Sequence, residues 1–176
     1  MNAPCTVESL VREIVVLDKS HCKAIESHLL SLNSEDQYLR FSSLVTPQRV
    51  KDYCSSINFD TDLVTGQFDG ARLVGLCHVG VDAVKIGLLG ELGVSVDANF
   101  RGQGCGKMLV ADAVRKAKDL GVNDLQIDFL AKNTRMRAIA SRLGAKIRVE
   151  DSDCTSTLCL NPSPEQSSSG FRYRIS

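Results

Sequence analysis

The chain has 176 residues, the size of one ordinary domain, with 43% hydrophobic and 24% charged residues and a formal net charge of zero. Such a composition is that of a globular protein, and the charge balance argues against nucleic acid or an anionic membrane as partner, since both ask for a basic surface. No apolar run approaches the roughly 20 residues that span a bilayer, and the opening MNAPCTVESLVREIVVL has acidic residues but no basic leader, unlike a secretory signal.

In chain order, REIVVLD (12–18) reads as a first strand, and HCKAIESHLLSL follows with Cys22, Ile25, Leu29 and Leu32 at helical spacing. SEDQYLRFSSLVT reads as a connection. In TPQRVKDYCSSI, Thr46 is an N-cap and Pro47 takes the first helical position. Val50, Tyr53, Cys54 and Ile57 then fall on one face. Three strands come next: DLVTGQFD, a turn at Asp69-Gly70, then ARLVGLCHVGVD and KIGLLGELGVSVD. A helix follows that buries Met108, Leu109, Ala113, Val114 and Ala117 and stops at Gly121. NDLQIDFLA is a strand, NTRMRAIASRLG a helix capped by Asn133 and stopped by Gly144, and AKIRVED and STLCLNP a closing strand pair.

The predicted order is thus β-α-α-β-β-β-α-β-α-β-β. It forms a mixed α/β sheet with both antiparallel and parallel neighbours in one domain over 1–161, followed by a Ser-rich tail over 162–176. The seven cysteines include no C-x-x-C pair. That points to reduced thiols in a cytoplasmic protein rather than disulfides or zinc. The three histidines are scattered without metal-ligand spacing, so no metal is expected.

The stretch RGQGCGK (101–107) stands between a strand and a helix start, with Gly102, Gly104 and Gly106 in five positions. A helix N-terminus offers unpaired N–H groups and a positive dipole end. Missing Cβ atoms let a phosphate approach them. A P-loop would need glycine at 101 and Ser or Thr at 108, where Arg101 and Met108 stand. The dinucleotide fingerprint G-x-G-x-x-G is also absent, because the spacing here is G-x-G-x-G.

R-G-Q-G-C-G resembles the acetyl-CoA signature [Q/R]-x-x-G-x-[G/A] of the GNAT superfamily of N-acetyltransferases. NTRMRAIASRLGAKI is similar to that family's N-x-x-M…L-G-F segment, with Ala145 in place of the phenylalanine. SEDQYLRF and EDSDCTSTLCL most resemble the acetyltransferase domain of bacterial protein-lysine acetyltransferases. The resemblance implies a GNAT-like fold with a splayed central strand pair. It further implies that acetyl-CoA is the cosubstrate, its pyrophosphate held by backbone N–H groups across Arg101, Gly102, Gln103, Gly104, Cys105, Gly106 and Lys107. Its pantetheine arm would lie along the backbone of Val94, Ser95 and Val96, with Asn133 as a further contact. An amine must lose a proton to attack a thioester, and Glu91, five residues before Val96, is the carboxylate that the subtype uses as base. The tyrosine that many members use to protonate the leaving thiolate is replaced by Ala140. Cys105 reads as a small filler, since direct attack needs no enzyme nucleophile.

The expected activity is therefore transfer of an acetyl group to a primary amine, of a protein lysine or a small molecule. A homodimer is compatible with the sequence. The alternative is a non-catalytic acyl-CoA-binding sensor or interaction module of the same fold. A phosphate-binding regulatory domain of other ancestry comes third.

Overall fold

The computed structural model describes residues 13–85 and 87–162. They form β1 (Ile14–Val16), α1 (Cys22–Ser31), α2 (Ser34–Phe41), α3 (Pro47–Ser56), β2 (Leu63–Asp69), β3 (Arg72–Val84), β4 (Gly87–Val96), α4 (Cys105–Asp119), β5 (Asp124–Leu130), α5 (Thr134–Arg142), β6 (Lys146–Glu150) and β7 (Asp153–Cys159). The strands make one seven-stranded sheet in the order β1-β2-β3-β4-β5-β7-β6. Its neighbours are antiparallel except β4 and β5, which run parallel. This is the mixed sheet expected. The opening residue of the first predicted strand, Arg12, and the tail from 163 onward lie outside the described residues.

One element departs from the expected order. SEDQYLRF is the helix α2 rather than a connection. Asn33 caps it, its side chain accepting from the Asp36 N–H at 2.8 Å. Glu35 and Asp36 occupy the first turn, where the helix dipole favours negative charge. No α2 side chain is fully buried, so the apolar periodicity that announces a helix is thin there.

Helices cover both faces of the sheet. On one side α4 and α5 bring Leu109, Val110, Ala113, Met136 and Ala140 against Cys77, Val79, Leu92, Leu125, Ile127 and Phe129. On the other, α1 and α3 bring Ile25, Leu29, Val50 and Cys54 against Val64, Leu73 and Leu76. Neighbouring β3 residues, Leu76 and Cys77, serve opposite cores because successive strand side chains alternate between faces.

The two halves of the sheet meet along a short seam. β4 pairs with β5 only at Leu89↔Asp124, Gly90↔Leu125 and Glu91↔Gln126. Beyond Glu91 the strands diverge, which is the splay implied by the resemblance. Asn123 clamps the closed end. Its N–H donates to the Leu88 carbonyl at 2.9 Å, its Oδ1 accepts from the Leu88 N–H at 2.8 Å, and its Nδ2 donates to the Asn161 carbonyl at 2.8 Å.

His28 ties α1 to two strands at once. Its Nδ1 donates to the Leu73 carbonyl at 3.1 Å, and the Ser95 hydroxyl donates to Nε2 at 2.9 Å. Burial pushes its pKa from 6.5 down to about 4, against the opposing pull of the Leu73 carbonyl. Between those values the unfolded chain binds a proton that the folded chain refuses, so stability falls as pH falls from 6.5 to about 4. The loss over that window is about 3 kcal/mol. In His28→Gln, whose amide keeps one donor and one acceptor without titrating, urea unfolding across this pH range should lose most of that slope. His78, also lowered by burial, leaves a residue of the same sign.

Candidate active site

The glycine loop joins β4 to α4 where the sheet is open. Gly102 and Gly104 have φ of +74° and +83°, which side-chain-bearing residues rarely adopt, and a Cβ on either would meet nothing within 4 Å. Gly104 is the N-cap of α4 and supplies no side-chain cap. The first intrahelical bond is Met108 N–H to the Gly104 carbonyl at 2.9 Å. The N–H groups of Cys105, Gly106 and Lys107 therefore precede any intrahelical acceptor and point out at the dipole's positive end. Free space in front of such donors suits a phosphate.

The diverging edge of β4 supplies the next contacts. Asp97 N–H donates to Val74 of β3 at 2.8 Å. Backbone groups alternate along a strand, so Ser95 also turns toward β3 while Val94 and Val96 turn toward the gap. Ser95 is thus engaged twice, by β3 through its backbone and by His28 through its hydroxyl. The Val96 carbonyl receives the Arg101 Nε at 3.1 Å. Arg101 also pairs with Asp36 of α2 at 2.5 Å, so its charge is shared with a carboxylate before any ligand is considered.

Two cavities open from this edge. The first, about 350 Å³, is lined by the loop, by Val94 to Val96 and by one side of α5. The second, about 420 Å³, is lined by Glu91, Gly93, Tyr53, His78 and Asp128 among others. They share Leu39, Arg40, Val94, Asn133 and Met136, so they meet beside Val94. Asn133 caps α5, accepting from the Met136 N–H at 3.1 Å, as its place in the sequence suggested. Lys107 is exposed at the rim, Cys105 is buried under the loop, and Gln103 reaches back to the Asn99 carbonyl at 3.2 Å. Glu91 is exposed in the second cavity, on the face of β4 that also carries Gly93.

Sequence reading missed a polar chain at the end of that cavity. Arg40 Nη2 lies 2.7 Å from the Tyr53 hydroxyl, which lies 2.7 Å from His78 Nδ1; His78 Nε2 lies 3.1 Å from Asp62 Oδ2. Burial raises the Asp62 carboxyl, but bonds from His78 and from the Asn58 and Val81 N–H groups outweigh it and hold the pKa below 3.8. Burial lowers His78 despite Asp62, so the ring is neutral at neutral pH. An ionised carboxylate can only accept, so Nε2 carries the ring proton and Nδ1 accepts from Tyr53. The chain therefore runs one way, from Arg40 through Tyr53 and His78 to Asp62. Its members are far apart in sequence and share no periodicity. Among the described residues no group of three or more His, Cys, Asp or Glu is placed to hold a metal, and no helix is long and apolar enough to cross a membrane.

Residues 24–146, most of the chain, match the model of the acetyltransferase (GNAT) domain. The chain belongs to the GNAT family of acetyltransferases. Solved structures with the same fold include the GNAT domain of S. lividans PAT, at 15% identity and a TM-score of 0.70, covering 84% of this chain and 89% of that one. They also include yncA from Salmonella typhimurium, a putative acetyltransferase solved with acetyl-CoA, at 16% identity and TM-score 0.65, covering 85% and 94%. The ribosomal-protein-alanine N-acetyltransferase of Brucella melitensis matches at 18% identity and TM-score 0.64, covering 84% and 99%.

The polar chain is also a stability element. Asp62→Ala leaves the His78 Nε2–H without its acceptor and should cost about 1–3 kcal/mol. Asp62→Asn, which keeps an acceptor oxygen, should cost less. Denaturant midpoints of the two variants check the order.

Proposed function

We propose that this chain is an acetyl-CoA-dependent N-acetyltransferase acting on a primary amine. The observation that carries the reading is the meeting of two cavities at Val94, one headed by the glycine loop and the other containing Glu91. The open space over Gly102 and Gly104 and the unpaired N–H groups of the first α4 turn fit a pyrophosphate. The outward backbone of Val94 suits an amide-bearing arm laid along the strand edge. Lys107 at the rim adds an exposed charge, which salt screens. The acetyl-CoA in the Salmonella relative lends the same coenzyme to this chain by analogy.

In this reading the loop and β4 edge hold the thioester while Glu91 receives the amine in the second cavity. An alkyl ammonium ion, with a pKa near 10.4, must lose a proton before attack. Glu91 pairs with the ammonium, accepts that proton and relays it to solvent, so that the nitrogen lone pair can add to the thioester carbon; the second proton, which nitrogen loses as the amide forms, leaves by the same carboxylate. The acceptor is a protein lysine or a small amine. The S. lividans relative is named as a PAT and the Brucella relative as acting on a ribosomal-protein alanine, so both are protein-directed models for it. A non-catalytic acyl-CoA binder is the second reading, favoured by Ala140 at the place of the usual tyrosine.

Two variants separate these readings. Gly106 lies in the first α4 turn without positive φ, and a Cβ there meets only Val96 at 3.5 Å. Gly106→Val should therefore fold normally yet lose acetyl-CoA binding in calorimetry, because its side chain fills the phosphate's space. Unchanged affinity would move the coenzyme elsewhere. Glu91→Gln should keep coenzyme affinity but lose turnover by roughly 10²–10⁴, with the loss shrinking as pH rises and free amine forms unaided. A wild type that binds acetyl-CoA and acetylates no amine, in protein or in small-molecule fractions, would establish the sensor reading instead.

A further inference from the structure

The reaction generates negative charge as well as a proton. When the amine lone pair forms the C–N bond and the C–S bond breaks, sulfur keeps the electron pair and leaves as thiolate. The helix position that would carry a tyrosine to protonate it holds Ala140, fully buried and lining neither cavity. The described tyrosines are committed elsewhere. The Tyr38 ring centroid lies 4.6 Å from the Lys132 ammonium, and the Tyr53 hydroxyl donates its hydrogen bond to His78.

Arg40 stands where the two cavities join. It comes from the last turn of α2, and its guanidinium lies against Gly93, where any Cβ would collide with it. The neighbouring residue, Val94, turns its backbone toward the gap. A thioester held by the glycine loop at one end and attacked from the Glu91 cavity at the other must have its sulfur near this junction.

Three features show that the guanidinium is placed and not yet satisfied. Tyr53 fixes it through Nη2, and its Cζ lies 5.2 Å and 5.3 Å from the Phe41 and Tyr53 ring centroids. Its Nε is buried with no hydrogen-bond partner. Among the described residues no carboxylate pairs with it. Asp36, one turn earlier on α2, is taken by Arg101, and Asp62 is two links away behind His78. A buried donor on a permanent cation without an acceptor is costly unless a ligand completes it.

We propose that Arg40 is a catalytic residue that receives the departing thiolate as an ion pair, in place of the tyrosine acid, with Tyr53, His78 and Asp62 as its positioning residues. The inference rests on the acetyl-transfer reading above. No proton donor is then required at the sulfur. Nitrogen loses two protons, one before attack and one as the amide forms; both leave through Glu91 to solvent, and the thiolate takes its proton from water after release.

Bound coenzyme A itself reports the test. The ultraviolet absorbance of its thiolate is followed against pH in complex with the full chain, with desulfo-coenzyme A as the blank for the protein's own cysteines. A free thiol ionises near pH 8.5. In the wild-type complex the coenzyme thiol should ionise about one to three pH units lower, the effect of an adjacent opposite charge. Arg40→Gln should abolish the lowering, and Arg40→Lys should retain part of it. Tyr53→Phe, which keeps the charge and cuts its tether, should weaken the lowering and reduce kcat while leaving acetyl-CoA affinity intact. If Arg40→Gln does not fold, Tyr53→Phe carries the comparison. Bound coenzyme A whose thiol ionises as in free solution, or equally in wild type and Arg40→Gln, overturns the role of Arg40 alone. Failure of wild type to bind coenzyme A at all in calorimetry overturns the acetyl-transfer reading and this inference with it.

Discussion

The site depends on a failure of strand pairing. Among the described strands β4 and β5 are the one parallel pair, and they share only three residue positions before parting. Backbone groups that would be spent on a ladder are left facing a gap, and a buried polar group without a partner is costly. A sheet keeps such an opening only where something else supplies the hydrogen bonds. The start of α4 adds, on the same edge, the N–H groups that precede any intrahelical acceptor. The cleft is therefore edged at one point by the outward backbone of Val94 and at another by the first turn of α4.

Around this opening the side chains divide their work by face. His28, Ser95 and the chain ending at Asp62 lie on the face covered by α1 and α3, while Val94, Val96 and Met136 belong to the face of α4 and α5. The first set is polar and directed, and it fixes where charges stand. The second is apolar and holds the walls in place. α2 links the two, since Asp36 reaches Arg101 beside the loop and Arg40 reaches Gly93 in the next cavity.

Sequence legibility followed sequence distance. The Thr46 and Asn133 caps and the strand–loop–helix step around the glycines are written within a few residues each, and local rules read these elements correctly. The helix α2 has only a thin apolar stripe to announce it, although Asn33 and the acidic first turn are a readable start. Its apolar face is small because it covers a cleft instead of a core. The contact of Ser95 with His28 crosses 67 residues, and that of Tyr53 with His78 crosses 25. No spacing rule joins such residues, since only the antiparallel register of β3 on β4 and the packing of α1 and α3 bring them together. His78 looked like one scattered histidine for that reason. The replacement of phenylalanine by Ala145 has a modest outcome, since Ala145 packs at the edge of the α4–α5 core.

The clamp at Asn123 gives the cleft a mechanical character. One asparagine fastens β4 to the segment entering β5 through its backbone and side chain, and it fastens that segment to Asn161 as well. The strands then form two arms of a lever, β4 backed by β3 and β5 by β7, whose fulcrum is the Asn123–Leu88 contact and whose far ends lead to the glycine loop and the Asn133 cap. Any tilt at the fulcrum is multiplied along the length of the arms, so the width of the mouth is governed from its far end. Residue 123 touches neither cavity, yet it is a gauge for both.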